Sequence, residues 1–150
     1  MDDLSRLVEK DRVVETITDL FVGTDARDWP AVLECFTPQV WFDMRSLTGV
    51  AASSVAANDI VASWEKGLAP LRAVHHQAGN FKVRFDGDEA DAFCYAIASH
   101  YLPTTSGRDT RVFVGSYEFR LKKDGARWRI SKFRFNLKYV DGNLELEKQT

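Results

Sequence analysis

The sequence predicts an α+β fold: helices first, then a long, strongly bent, mostly antiparallel sheet curled around a small-molecule pocket. Three observations carry this expectation. Apolar residues recur at three- and four-residue steps as far as about residue 69, alternation of period two takes over from residue 73, and Gly87-Asp88 and Asp124-Gly125 punctuate the alternating stretch as tight turns. A run of helices followed by a run of strands segregates into helices covering one face of a sheet. With 150 residues, the chain is expected to form one domain with a real core.

Residues 3–24 read as an amphipathic helix through Leu4, Leu7, Val8, Val14, Ile17, Leu20 and Phe21. Asp28 is placed to cap a second helix with Pro30 in its first turn, and Thr37-Pro38 stops it. Residues 39–45 alternate as a strand, while the small and polar stretch from Ser46 to Ala57 predicts a mobile loop. A third helix starts at Asn58 or Asp59, runs through Ile60, Val61, Trp64 and Leu68, and ends at Pro70. Strands are expected over 73–85, 89–102, 110–122 and 127–139, with a short tail strand around Leu144 to Leu146.

Composition narrows the function. Hydrophobic residues are 45% and charged residues 28%, with a net charge of −2 and interspersed signs, so no basic face for nucleic acid or an anionic membrane is expected. The stretch MDDLSRLVEKDR is charged and lacks the apolar core of a signal peptide, and no run is long enough to span a bilayer. A cytoplasmic location is therefore expected. Cys35 and Cys94 lie in different predicted elements and read as small buried hydrophobes. His75 and His76 are adjacent in a predicted strand and point to opposite faces, which argues against a shared metal, and no phosphate loop or nucleophile elbow is present.

Strand phase locates the candidate site. In the first strand, Val40, Phe42 and Met44 share a face. In 73–85, Phe81, Val83 and Phe85 define the apolar face, and counting back by twos puts Gln77 and His75 on it, with His76 opposite. In 89–102, Ala92, Cys94, Ala96, Ala98 and His100 share a face. Four small side chains in a row leave space under a curved sheet for a close-packed helix or for a ligand, and His100 stands at the end of the row. Asp25, four residues after Phe21, extends the apolar stripe of the first helix, so an inward carboxylate and His100 form a candidate pair. The same residues also fit a histidine bonded to a core carbonyl and an aspartate bonded to turn amides.

The runs TDARDWPAVLECFTPQVWFD, LRAVHHQAGNFKV, GDEADAFCYAIASHY and KKDGARWRI resemble the nuclear-transport-factor-2-like superfamily, in particular the SnoaL-like branch of scytalone dehydratase, bile-acid dehydratase and hexachlorocyclohexane dehydrochlorinase. The resemblance implies a cone-shaped half-open barrel of bent sheet packed with three N-terminal helices, and an active site inside the cone. It implies Asp25 as the residue that orients a histidine, His100 as the general base, and His75 as a second pocket histidine. The tyrosines that hold a catalytic water in scytalone dehydratase align with Thr24 and Met44, so scytalone itself is not the expected substrate. Tyr117 is then a candidate acid, and Arg134 or Asn136 a candidate for a polar end of the substrate. Phe42, Met44, Ala96 and Ala98 complete the expected binding surface.

These expectations amount to a cofactor-free, dehydratase-like lyase acting on a hydrophobic oxygenated ring compound (a polyketide, steroid or aromatic) by histidine general-base catalysis. An isomerase or cyclase of the ketosteroid-isomerase type and a non-catalytic binding or assembly domain are the alternatives. Outward aromatics on the sheet (Phe93, Tyr95 and Tyr101, with Phe133 and Phe135 on the last strand) and Trp41 predict a homo-oligomer, dimer or trimer.

Overall fold

A computed structural model of the protein describes residues 1–148. Helix α1, Asp3–Ala26, starts where the Asp2 carboxylate accepts from the Ser5 amide at 2.7 Å, and ends at Arg27, which sits in the left-handed region at φ 58°. Its buried stripe is Glu9, Val13, Thr16, Ile17, Leu20, Phe21 and Thr24. Leu4, Leu7 and Val8 fall outside that stripe and are exposed, contrary to the sequence expectation. The inward position in the first turns is taken instead by Glu9, whose carboxylate accepts from Trp128 Nε1 at 2.7 Å.

Helix α2, Trp29–Glu34, is capped by Asp28, whose carboxylate accepts from the Ala31 amide at 3.2 Å. Strand β1, Phe36–Asp43, follows. The expected loop beyond it holds a single-turn helix α3, Arg45–Thr48, and a short strand β2, Ser53–Ala56. Ser46 ties this segment down, donating to the Phe135 carbonyl at 2.8 Å and accepting from the Leu137 amide at 2.9 Å. Helix α4, Ala57–Leu68, buries Ala57, Ile60 and Val61.

Four long strands complete the chain: β3, Ala73–Asp86; β4, Glu89–Tyr101; β5, Thr110–Asp124; and β6, Arg127–Gly142. The six strands form one curved sheet in the order β2-β1-β6-β5-β4-β3. Every pair is antiparallel except β1 with β6. Where a tail strand was expected, residues Leu146–Lys148 form a 3₁₀ turn. No helix among the described residues is long and apolar enough to cross a membrane.

One irregularity in β3 decides the site. Gly79 pairs with Tyr95, but the next pair is Lys82 with Phe93, so two residues of β3 oppose one of β4. The extra residue is Asn80, held in the left-handed region at φ 58°. Such a bulge inverts the inward–outward alternation on one side of it. Phe81, Val83 and Phe85 pack on the core as expected, but before the bulge the inward residues are Ala78, His76 and Val74.

The inner face of the sheet carries the core. Phe119, Phe133, Phe135, Leu121 and Ile130 pack under Ile17, Leu20 and Phe21 of α1. Phe133 and Phe135 are therefore buried rather than outward, at 2% and 4% exposure. Tyr95, Tyr101 and Trp41 do lie on the surface.

Candidate active site

The curved sheet, α1, α4 and the α3–β2 segment enclose a cavity of about 570 Å³. Its walls are mainly aromatic and aliphatic, with Phe42, Trp64, Phe113, Phe133 and Phe135 prominent and Leu47 and Val50 on exposed chain beside them. Thr24, Tyr117, His76 and His100 supply polar groups, and no lining residue among those described is a lysine or arginine.

His76 is held on three sides. Its Nδ1 lies 2.6 Å from Asp25 Oδ1, and its backbone amide donates to Asp25 Oδ2 at 2.7 Å. The Phe21 ring stacks on the imidazole with centroids 5.1 Å apart and planes 15° from parallel. Arg27, just past the end of α1, donates from Nη2 to the Leu71 carbonyl at 2.5 Å and so fastens the helix end that carries Asp25 to the chain entering β3. A carboxylate facing Nδ1 requires the proton there, which leaves the Nε2 lone pair of the neutral ring available.

His100 has the opposite arrangement. Cross-strand pairing sets it beside Arg111 of β5 and Val74 of β3, and its neighbour Ala98 pairs with His76, so both imidazoles sit on the inner face of adjacent strands. Arg111 Nη2 lies 2.9 Å from His100 Nδ1. A guanidinium only donates, so Nδ1 must be an acceptor and the neutral ring carries its proton on Nε2. Burial pushes the His100 imidazole down to about 4, and the Arg111 and His76 charges act in the same direction. Near neutral pH His100 is thus an uncharged Nε2–H donor.

Tyr117 lies between these groups and the core, with its ring centroid 5.1 Å from that of Phe21 and 4.8 Å from that of Phe135. Burial raises the Tyr117 phenol above its ordinary range, so it stays protonated and can serve as a hydrogen-bond donor. Burial likewise pushes the Cys35 and Cys94 thiols up to about 12, which makes both inert packing groups. Among the described residues, no three His, Cys, Asp or Glu side chains converge to hold a metal ion.

The expected site residues fall in different places. Asp25 faces inward, and Phe42, Met44, Ala98, His100 and Tyr117 line the cavity. Ala96 is buried in the core beneath it. The expected Asp25–His100 contact is corrected: the carboxylate bonds His76, and His100 bonds Arg111. His75 is corrected too, because the Asn80 bulge turns it outward, where its Nε2 lies 3.4 Å from the exposed Gln77 side chain. Arg134 and Asn136 lie outside the cavity. Arg134 approaches Asp43 and Glu118 at 3.6 and 3.7 Å, and Asn136 donates to Glu118 at 3.0 Å. Sequence reasoning missed His76 and Arg111. The Gly79-Asn80 pair inside a strand was the available signal for His76, since glycine in a strand interior marks a bulge; nothing in the local pattern singled out Arg111.

The SnoaL-like domain family matches residues 5–134. Among solved structures, the protein Kfla4162 from Kribbella flavida superposes with a TM-score of 0.86 at 22% identity, over 92% of this chain and 95% of that one. A protein of Novosphingobium aromaticivorans provisionally assigned as a scytalone dehydratase gives 0.79 at 15% identity, over 92% and 89%. A hexachlorocyclohexane dehydrochlorinase of Novosphingobium barchaimii gives 0.75 at 15% identity, over 95% of each chain. At these identities the likeness is one of fold. No curated protein matches the chain.

Proposed function

The chain belongs to the SnoaL-like family, and from that premise we propose that its cavity is the active site of a cofactor-free enzyme of lyase or isomerase type, dehydratase-like in its favoured reaction. The observation that carries the reading is the pair of cavity histidines held in opposite tautomers, one by Asp25 and the other by Arg111.

In this reading His76, rather than His100, is the base. Its Nε2 takes a proton from a carbon beside a carbonyl, and Asp25 stabilises the imidazolium that forms. The C–H electron pair becomes the new C=C bond, and the C–O bond to the leaving hydroxyl breaks with its pair on oxygen. His100 supports the developing charge by hydrogen bonding from Nε2. As a neutral imidazole it does not surrender that proton, so the proton on His76 passes to the departing oxygen and water leaves. Both rings then return to their starting states. Tyr117 is a second donor for the enolate oxygen. Return of the proton to a different carbon gives isomerisation instead, with the same groups.

The walls support one substrate class. Aromatic and aliphatic lining without a cationic side chain suits an uncharged hydrophobic ring compound bearing a few oxygens, and disfavours phosphate or carboxylate esters of larger carriers. The test is a panel of such compounds scored by thermal shift, with stabilising hits followed by ultraviolet absorbance and product analysis. Turnover by the parent and a loss on the order of 10²–10⁴-fold in His76→Gln supports the reading. Turnover at the parent rate in His76→Gln refutes the base assignment.

A further inference from the structure

The Arg111 guanidinium that faces His100 is also met by a part of the chain far from the cavity in sequence. Strand β6 ends at Gly142, at φ 91°, where an added Cβ would stand 2.3 Å from the Thr110 carbonyl oxygen. Only glycine lets the chain pass so close to the start of β5. Asn143 then fastens the turn: its amide donates to the Thr110 carbonyl at 2.8 Å, its Nδ2 donates to the Arg108 carbonyl at 2.9 Å, and its Oδ1 accepts from the Glu145 amide at 3.0 Å. The turn drives Leu146, fully buried, into a small apolar cluster with Leu71 and Val74, flanked by Leu68 and Leu102. Val74 is the β3 partner of His100. Glu147 is thereby brought against Arg111, its two carboxylate oxygens accepting from Nη1 at 2.9 Å and Nη2 at 2.6 Å.

We propose that this turn is a positioning element for His100. Glu147 locks the Arg111 guanidinium in the orientation from which Nη2 donates to His100 Nδ1, and so keeps the His100 proton on Nε2, toward the cavity. The inference rests on the elimination or isomerisation reading of the cavity, for which an Nε2–H donor is needed. The physical ground is that a guanidinium is a rigid planar fork. Gripped on one edge by a carboxylate, it presents its remaining donors in a fixed direction. Its face also rests over the Phe113 ring at 5.5 Å, and the His100 ring meets Phe113 edge-on at 5.1 Å. Released from Glu147, the guanidinium gains rotamers in which it no longer donates to Nδ1, and the imidazole proton redistributes between its two nitrogens. The charged and titratable groups around His100 are Arg111 on β5, His76 on β3, Asp25 on α1 and Glu147 on the turn.

The experiment is long-range ¹H–¹⁵N NMR of the full chain with ¹⁵N-labelled histidine at neutral pH, for the parent, Glu147→Gln, Glu147→Ala and Arg111→Lys. In the parent, His100 is expected entirely in the Nε2–H form. In all three variants a measurable Nδ1–H fraction is expected, because a lysine or an unanchored arginine does not hold the same donor in place. His76 is expected to keep Nδ1–H throughout, which reports an intact fold and serves as the internal control. Glu147→Gln keeps the size of the side chain, so the result does not depend on the alanine variant folding. A parent His100 with its proton on Nδ1, or an unmixed Nε2–H form in all three variants, overturns the proposal. The readout is the tautomer and needs no substrate, so a failure of the functional reading is seen separately, in the turnover panel.

Discussion

Replacing Asp25 with Asn isolates the proton that the proposed base depends on. Asp25 accepts two hydrogen bonds, one from the His76 backbone amide and one from its ring. The backbone N–H only donates, so the Asn oxygen must face it. That leaves the Asn NH₂ group facing His76 Nδ1, which can accept it only if the ring proton moves to Nε2. The hydrogen-bond count is preserved while the lone pair in the cavity is lost. Stability is therefore expected to fall by only about 1–2 kcal/mol, the difference between a charge-assisted bond and a neutral one. The rate on any substrate found should fall on the order of 10²–10⁴-fold, the usual contribution of a general base. Urea denaturation reads the first quantity, ultraviolet turnover the second, and histidine NMR the tautomer between them. An Asp25→Asn protein with parent turnover, or one whose His76 keeps its proton on Nδ1, would refute the reasoning.

Three further outcomes are expected. His100 titrates at about 4 in the folded chain against an ordinary 6.5, so the unfolded chain takes up its proton first. Its contribution, up to about 3 kcal/mol, is present above pH 6.5 and is lost as pH falls toward 4; urea midpoints across that range should decline less steeply in His100→Gln, and equal slopes would count against the buried neutral ring. His75→Gln and Arg134→Ala should leave turnover and ligand-induced thermal shifts unchanged, since both side chains lie outside the cavity; a tenfold loss in either would bring them back into the site. Gly115→Ala should destabilise by about 3 kcal/mol, because the new Cβ would stand 2.2 Å from the Asn136 carbonyl oxygen and 2.9 Å from the Phe135 ring; an unchanged melting temperature would mean that β6 yields there more easily than its packing implies.

What the sequence determined by itself rests on local period and punctuation. The four long strands follow from alternation punctuated by the Gly87-Asp88 and Asp124-Gly125 turns, and the inward row ending at Ala98 and His100 follows from an unbroken period of two in β4. Asp25 was legible because helical spacing from Phe21 is regular. Tertiary structure decided what these side chains meet. Counting by twos fails across one inserted residue, and Asn80 exchanged His75 for His76 without changing any element boundary. Arg111 acquired its role because cross-strand register sets it opposite His100, and Glu147 because a turn 36 residues later returns to it. Phase is local and propagates along a strand until the backbone breaks it, whereas a histidine's tautomer is set by partners that only the folded chain brings together.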